Sequence, residues 1–249
     1  AYDHQRVFDA RNARDWDLLA LTRDLGVHVS ANHLVTKNHY GFSFDIAHSV
    51  EIWNGAVWPR NVPGLRVWDD QLLSGRILPG RGGSDAHHGV PPDGDMEAER
   101  SLEAMTNAVG TPTTWVLAEG RDKPAILAAL EAGRASVSAN PRAPRAELEA
   151  EADNAHLLMG QNAPLPRGLV RLTLRLSDGR LPGVRYRVRI IRNRDVLCHI
   201  WTDPETGEAT FSDTPDGRTY YRAEVEGPQT PCPEVPLAMT ASGHMVALT

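Results

Sequence analysis

Hydrophobic and polar positions follow two different periods along the chain. From residue 15 to about residue 140, helical spacings of apolar residues alternate with short apolar runs that end in polar residues or glycine. This pattern predicts helices that alternate with buried strands, which is typical of parallel βα units. From about residue 165 the apolar positions follow a period of two instead. That second pattern predicts antiparallel strands with one solvated face.

In the first region the pattern predicts three helices and five strands. Helices are expected at 15–25, 67–74 and 123–132, and strands at 27–31, 49–53, 76–78, 113–117 and 135–138. Pro124 in the first turn of the third helix and Gly133 after its end support its bounds. The expected fold class is therefore α/β.

In the second region the alternation is clearest in three segments. Their apolar positions are Val170, Leu172, Leu174 and Leu176, then Val184, Tyr186, Val188 and Ile190, then Tyr221, Ala223 and Val225. Asp-Gly and Pro-Gly turns separate such segments, which predicts a small antiparallel β-sandwich-like domain over residues 165–249. Residues 1–140 form the other expected domain. The polar, proline-punctuated residues 141–164 are expected to be a linker or a connecting strand.

Charge and composition exclude some classes of partner. The net charge is -6 and the isoelectric point is about 5.9, which argues against nucleic acid or an anionic membrane as the main partner. No apolar run approaches the roughly 20 residues of a membrane helix. A soluble protein is expected, either cytoplasmic or secreted. Because the chain begins with Ala1 rather than Met, an upstream segment is expected.

Polar clusters follow three of the predicted strands. His33 comes after the first, Asn54 after the second, and Asp85-Ala86-His87 after the third. In parallel βα folds the chemistry collects where strands end and loops begin. This coincidence is the first functional signal in the sequence.

The Asp85-Ala86-His87 pair is the sharpest of these clusters. Residues two apart in an extended strand point to the same side, so a carboxylate and an imidazole can reach one metal ion, such as Zn²⁺ or Mn²⁺. The alternative interpretation is a turn-capping Asp beside a surface His. His33 is the natural third ligand, although a core histidine bonded to the backbone is the alternative for that position. Gly82 and Gly83 allow the backbone to turn close to a ligand.

Further polar residues are candidates for substrate binding. Glu51 and Asn54 would orient ligands or bind substrate, while a turn is an equally good interpretation of Asn54. Lys37, Asn38 and His39 form a polar loop after His33, a position that suits substrate recognition but also an ordinary surface loop.

Four segments resemble one known family. They are ANHL at 31–34, VEIWNG at 50–55, VWDDQLLSGR at 67–76 and GGSDAHH at 82–88. They look like the later motifs of the PHP (polymerase and histidinol phosphatase) superfamily. The stretch TTWVLAEGRDKPAILAALEAGRASVS is most similar to its carbaryl-hydrolase-like branch. The resemblance covers roughly residues 20–140.

The resemblance implies a fold and an activity. The fold would be the C-terminal part of a distorted (βα)7 TIM-like barrel, followed by the small antiparallel β domain. Two or three divalent metal ions (Zn, Mn or Fe) would be bound at its C-terminal face, with His33, Asp85 and His87 as ligands. The activity would be hydrolysis of phosphoesters, carbamates or other small-molecule esters. Two departures stand out: Leu34 replaces the usual proline, and the family's His-x-His pair occurs nowhere in the chain.

Such a site would use metal-activated water. Bound divalent ions bring the pKa of water down toward ~7 and polarise the scissile bond. Asp85 would then accept the proton of the attacking water, and His87 or His88 would act at the leaving group. An N-terminal segment or a second chain would complete the metal site.

A second hypothesis comes from another class of protein. The chain would be a non-catalytic PHP-like scaffold that binds a partner or a carbohydrate through its β domain. The missing His-x-His pair favours this alternative. Cys198 and Cys232 are too few for a disulfide framework, and two thiols are expected rather than a bridge.

Overall fold

The structure is a computed structural model that describes residues 28–32, 34, 44–86, 108–233 and 243–249. Within these ranges, thirteen strands form three sheets, joined by two α-helices and two 3₁₀ turns. No disulfide joins Cys198 and Cys232, as the sequence predicted.

The first sheet is parallel and has three strands in the order β1-β2-β3. These strands are β1 (Ser30–Ala31), β2 (Ser49–Asn54) and β3 (Gly80–Gly83). A 3₁₀ turn (Trp58–Asn61) and the helix α1 (Val62–Leu73) connect β2 to β3. Trp68 of α1 is buried, and its Nε1 donates a hydrogen bond to the carbonyl oxygen of Leu78 at 2.7 Å. The helix therefore covers one face of the parallel sheet.

The second sheet is antiparallel, with six strands in the order β10-β9-β12-β13-β5-β4. They are β4 (Thr113–Val116), β5 (Ala135–Ser138), β9 (Arg187–Arg192), β10 (Asp195–Trp201), β12 (Tyr221–Glu226) and β13 (Met245–Leu248). The helix α2 (Lys123–Glu131) connects β4 to β5. Asp122 begins this helix by accepting a hydrogen bond from the backbone N–H of Ala125 at 3.0 Å, a usual N-cap.

The third sheet is antiparallel too, with four strands in the order β11-β8-β6-β7. They are β6 (Arg145–Ala152), β7 (Ala155–Leu157), β8 (Val170–Ser177) and β11 (Glu208–Asp213). Its apolar face packs against the six-stranded sheet, and both sheets contribute to one core. Leu172 and Leu174 come from the third sheet, and Val188 and Val225 from the second. We call these two packed sheets the double sheet.

A buried ion pair joins α1 to the double sheet. Both carboxylate oxygens of Asp69 accept hydrogen bonds from Arg222, at 2.9 and 3.0 Å, and the Tyr220 hydroxyl donates to Asp69 at 2.7 Å. Burial and this hydrogen bond raise the pKa of Tyr220. Burial alone would lower the pKa of Arg222, but Asp69 and Glu224 raise it, so the guanidinium stays charged. Arg222 also lies over the Trp68 ring, 5.8 Å from its centroid.

The expectation of a TIM-like (βα)7 barrel is wrong. The described residues are mostly β-sheet, with only two α-helices among them, and only β1, β2 and β3 run parallel. β4 and β5 flank a helix, as in a βα unit, yet they pair antiparallel with each other, and β5 pairs antiparallel with β13. Helix–strand alternation in a sequence does not specify which strand pairs with which. That pairing decides whether two strands run parallel or antiparallel.

Several individual elements were predicted well. β2, β4, β5 and α2 lie within one residue of their expected bounds. α1 begins five residues earlier than expected, and β3 follows the expected strand at 76–78. Residues 141–164, which were expected to be a linker or a connecting strand, contain the two strands β6 and β7. The division into domains stays a prediction.

Candidate functional site

The three parallel strands end side by side at one edge of their sheet. We call this the carboxyl edge and define it by Asn32, Asn54, Gly83, Ser84 and Asp85, which end or follow β1, β2 and β3. Since β2 lies in the centre, the two flanking strands are about 10 Å apart. Loops that follow all three strands can therefore contribute to a single site here.

Glu51 supplies a buried carboxylate next to the carboxyl edge. The residue is 8% exposed, and its Oε2 accepts a hydrogen bond from Nδ2 of Asn54 at 3.1 Å. A Cβ atom placed on Gly83 would lie 2.9 Å from Oε1 of Glu51. A larger residue at position 83 would therefore require the Glu51 carboxylate to shift.

Asn61 holds the end of β2 in place. Its Oδ1 accepts a hydrogen bond from the backbone N–H of Asn54 at 2.7 Å, and its Nδ2 donates to the carbonyl oxygen of Asn54 at 3.3 Å. The N–H of Gly55 donates to the carbonyl oxygen of Gly83 at 2.9 Å, which joins the ends of β2 and β3. Asn61 was not predicted as a site residue. Its position directly before α1 offered only a weak helix-start signal.

Gly82 lets β3 approach the double sheet. A Cβ atom on Gly82 would lie 2.5 Å from Cγ1 of Val137 and 2.9 Å from Cγ of Pro112. The Thr114 hydroxyl accepts a hydrogen bond from the N–H of Gly82 at 2.9 Å and donates to its carbonyl oxygen at 2.7 Å. The Gly82-Gly83 pair thus serves close packing on both sides of β3, whereas the sequence had predicted a turn close to a ligand, which stays a prediction.

Asp85 has an unusual backbone conformation. Its φ is +54°, in the left-handed region that few residues other than glycine adopt, although Asp tolerates it better than most. Such conformations concentrate at functional sites. Asp85 comes two residues after β3, so its Cα lies at most about 7.6 Å from that of Gly83.

A second buried polar cluster lies nearer the amino ends of the same strands. His28 Nε2 is 3.0 Å from Oγ of Ser49 and 2.8 Å from Nη2 of Arg81, and its Nδ1 is 3.6 Å from Oε1 of Glu131. Because arginine only donates, Nε2 accepts and Nδ1 carries the proton. Burial, followed by the charges of Arg81 and His48, lowers the pKa of His28 from 6.5 to about 4.

The sequence interpretation missed most of this cluster. It did not single out His28, Ser49 or Arg81. A signal was present, because strands of a parallel sheet that are covered on both faces normally read as continuous apolar runs. Ser49 and Glu51 interrupt the run SVEIWN, and Arg81 lies between two glycines of β3.

The structure describes three of the predicted site residues. Glu51 and Asn54 are brought into contact, and Asp85 follows the strand that Glu51 touches. The other predicted residues lie outside the described residues: His33, Lys37, Asn38, His39, His87 and His88. Among the described residues, no group of three or more His, Cys, Asp or Glu side chains is placed to hold a metal ion. The zinc or manganese site expected from the sequence is therefore not found in this part of the chain.

Comparison with known proteins adds no relative. No protein-family model matches the chain, and no curated protein or solved structure is significantly similar to it. In the described ranges, no helix is both long and apolar enough to cross a membrane.

The carboxyl edge brings together acidic residues that lie in or follow two neighbouring strands. It combines one buried and oriented carboxylate, Glu51, with a second carboxylate on a strained backbone, Asp85. Carboxylate oxygens can bind a hard or borderline divalent cation or accept a proton from water. Glu51 lies within β2, which favours a fixed geometry for its carboxylate, whereas Asp85 follows the end of β3 by two residues.

Proposed function

We propose that this protein is a metal-dependent hydrolase of small-molecule esters, carbamates or phosphoesters that acts at the carboxyl edge. The observation that carries the proposal is the arrangement of Glu51 and Asp85 around β3. The buried Glu51 carboxylate lies against Gly83, and two residues further on the chain turns through the left-handed Asp85.

Of the three proposed metal ligands, Asp85 is among the residues that the structure describes, whereas His33 and His87 are not. Asp85 would bind two or three divalent ions (Zn, Mn or Fe) together with His33 and His87. In the sequence, His33 comes two residues after β1 and His87 comes four after β3. The donor set of carboxylate and imidazole fits these ions. When bound, such an ion activates water and polarises the scissile bond.

The protein's own groups then have separate roles in the proposal. Asp85 accepts the proton of the attacking water, and His87 or His88 donates a proton to the leaving group. Glu51, held by Asn54, orients the groups at the end of β3. Lys37, Asn38 and His39 would contact the substrate.

The test compares two aspartates with the same backbone conformation. Asp85→Asn should remove metal from the native full-length protein, as measured by elemental analysis, and should abolish hydrolysis of p-nitrophenyl acetate, bis(p-nitrophenyl) phosphate or 1-naphthyl N-methylcarbamate. Asp153→Asn is the matched control, because Asp153 also has a positive φ, of 46°, but lies in the turn between β6 and β7. The control should leave metal content and activity unchanged.

Glu51→Gln separates orientation from direct binding. The variant keeps the shape of the side chain but removes its charge. Substitution of a residue that orients metal ligands typically lowers metal affinity or activity by about 10- to 100-fold, and a loss of this size is expected here. The proposal fails if the native protein holds no metal after reconstitution and hydrolyses none of the three substrates. A non-catalytic scaffold would then be the better account.

A further inference from the structure

A large cavity lies away from the carboxyl edge, where α1 meets the four-stranded sheet. Its volume is about 730 Å³, which is within the usual range for small-molecule sites. Pro79 and Gly80, at the amino end of β3, line it, whereas Asp85 follows the carboxyl end of the same strand. The cavity is therefore separate from the proposed hydrolase site.

The interior of this cavity is mainly apolar. Trp68 and Leu72 of α1 form one wall, Leu148 of β6 another, and Met159 belongs to the connection after β7. The cavity is open to solvent on one side, so its apolar lining is partly in contact with water. An apolar ligand would gain free energy by filling it.

Exposed apolar side chains surround the mouth of the cavity. Leu73, Ile77 and Leu165 all line it and are 45%, 55% and 53% exposed. Leu73 and Ile77 lie four residues apart at and after the end of α1, whereas Leu165 comes from the connection between β7 and β8, and all three line the same cavity. Clustered exposed apolar residues of this kind mark binding sites more often than single ones do.

One cation on the rim is left without a counter-charge. Nη2 of Arg218 donates to the carbonyl oxygen of Gly75 at 2.8 Å, but no carboxylate in the described part of the chain forms an ion pair with Arg218. The other charged lining residues are neutralised within the protein. Glu149 pairs with Arg175, and Arg222 pairs with Asp69.

We propose that the cavity binds an anionic amphiphile, with its apolar body between α1 and the four-stranded sheet and its carboxylate on Arg218. The apolar lining accounts for the body, and the unmatched charge of Arg218 accounts for the anionic group. If Arg218 served only to hold the end of α1 through Gly75, ligand charge would not matter.

The first experiment measures decanoate binding by isothermal titration calorimetry, beside the neutral 1-decanol. Arg218→Gln should weaken decanoate binding by about tenfold, the effect of losing one charge-assisted hydrogen bond, and should change 1-decanol binding little. Arg121→Gln is the matched control, because Arg121 is exposed and does not line the cavity. No decanoate binding by the native protein, or equal decanoate binding by Arg218→Gln, overturns the proposal.

A second pair of variants tests the mouth without touching Arg218. Leu165→Glu places a negative charge at the opening and should weaken decanoate binding more than 1-decanol binding. Leu169→Glu is the control, since Leu169 is 60% exposed but does not line the cavity. Both positions are exposed, so both variants should fold. An equal effect of the two variants on decanoate binding contradicts the assignment.

The location of the ligand has its own readout. With ¹³C-methyl methionine labelling, the Met159 methyl signal should shift on addition of decanoate. The Met245 signal should not, because Met245 does not line the cavity. A shift confined to methionines other than Met159 would place the ligand elsewhere and reject the proposal.

Discussion

The parallel sheet and the double sheet differ in how much of their buried surface is aliphatic. In the double sheet, Leu172 and Leu174 of β8 point into an aliphatic core, while Arg175 on the same strand pairs with acids outside it. In the parallel sheet, the central strand β2 is buried on both faces, and one of these positions is the acid Glu51.

The difference bears on stability. Aliphatic side chains in a core stabilise a fold at no polar cost, whereas a buried ionisable group costs free energy unless it is paired. His28, Glu51 and Arg81 are each less than a tenth exposed. A protein that keeps them in a small parallel sheet, beside a double sheet with an ordinary core, has its candidate chemistry in the parallel sheet.

The largest effect is expected where the two regions join. Asp69→Ala removes the carboxylate that accepts two hydrogen bonds from Arg222 and leaves that guanidinium buried with only part of its partners. Removal of one partner of a buried pair typically costs about 3–5 kcal/mol. Urea unfolding measures this loss directly.

The neighbouring aspartate is the control for this junction. Asp70 follows in the same helix and pairs with Arg194 at 2.9 Å, but its side chain is 53% exposed. Asp70→Ala should lower the free energy of unfolding by less than about 1 kcal/mol, as for other surface pairs. Equal losses in both variants would mean that the buried pair does not join α1 to the double sheet.

A slightly smaller effect is expected in the double-sheet core. Leu174 is 1% exposed, and Leu174→Ala should lower the free energy of unfolding by about 2–5 kcal/mol, because it removes buried methyl groups and leaves a cavity. Leu169→Ala, at a 60% exposed position, should change it by no more than about 0.5 kcal/mol. The loss in Leu174→Ala should be the same at pH 5 and pH 7, since no titratable group is involved. A loss that depends on pH would contradict the contrast between the two regions.

The parallel sheet should instead show a pH-dependent stability. The pKa of His28 is lowered to about 4 in the folded protein, against 6.5 for an ordinary histidine. Between these values the unfolded chain binds a proton that the folded chain does not, so stability falls as the pH falls from 6.5 to 4. The full shift corresponds to about 3 kcal/mol.

His28→Gln isolates this contribution. The variant cannot titrate at residue 28, so the difference in unfolding free energy between it and the native protein should change by about 3 kcal/mol between pH 7 and pH 4. His156→Gln is the control, because His156 is exposed and pairs with Glu149 on the surface of the four-stranded sheet. If both differences vary with pH to the same extent, His28 is not the buried group that responds to acid.

Local elements of the fold were predictable, but their assembly was not. The alternation in β8 and the capped helix α2 follow from neighbouring residues, and both were found in the sequence. The antiparallel pairing of β5 with β13 joins residues more than a hundred positions apart. No local sequence pattern indicates such a pairing. The barrel that the family resemblance implied therefore gave the wrong strand partners.

The candidate site was predictable to a similar extent. Polar residues at strand ends pointed to Asn54 and Asp85, and the paired glycines before Asp85 indicated a close approach. The contact between Asn54 and Glu51, and the support from Asn61, depend on how the chain turns after β2. The His28 cluster depends on the pairing of three strands, so its members are not recognisable one at a time.

The sequence by itself determined the periods, the turns and the capped helix, because these depend on side chains a few residues apart. It also determined the acidic net charge. Tertiary structure alone decided the strand partners, the burial of Asp69 against Arg222 and the cavity beside Arg218. These features arise where segments distant in sequence pack together, and the free energy that selects them is shared among many contacts of the whole fold.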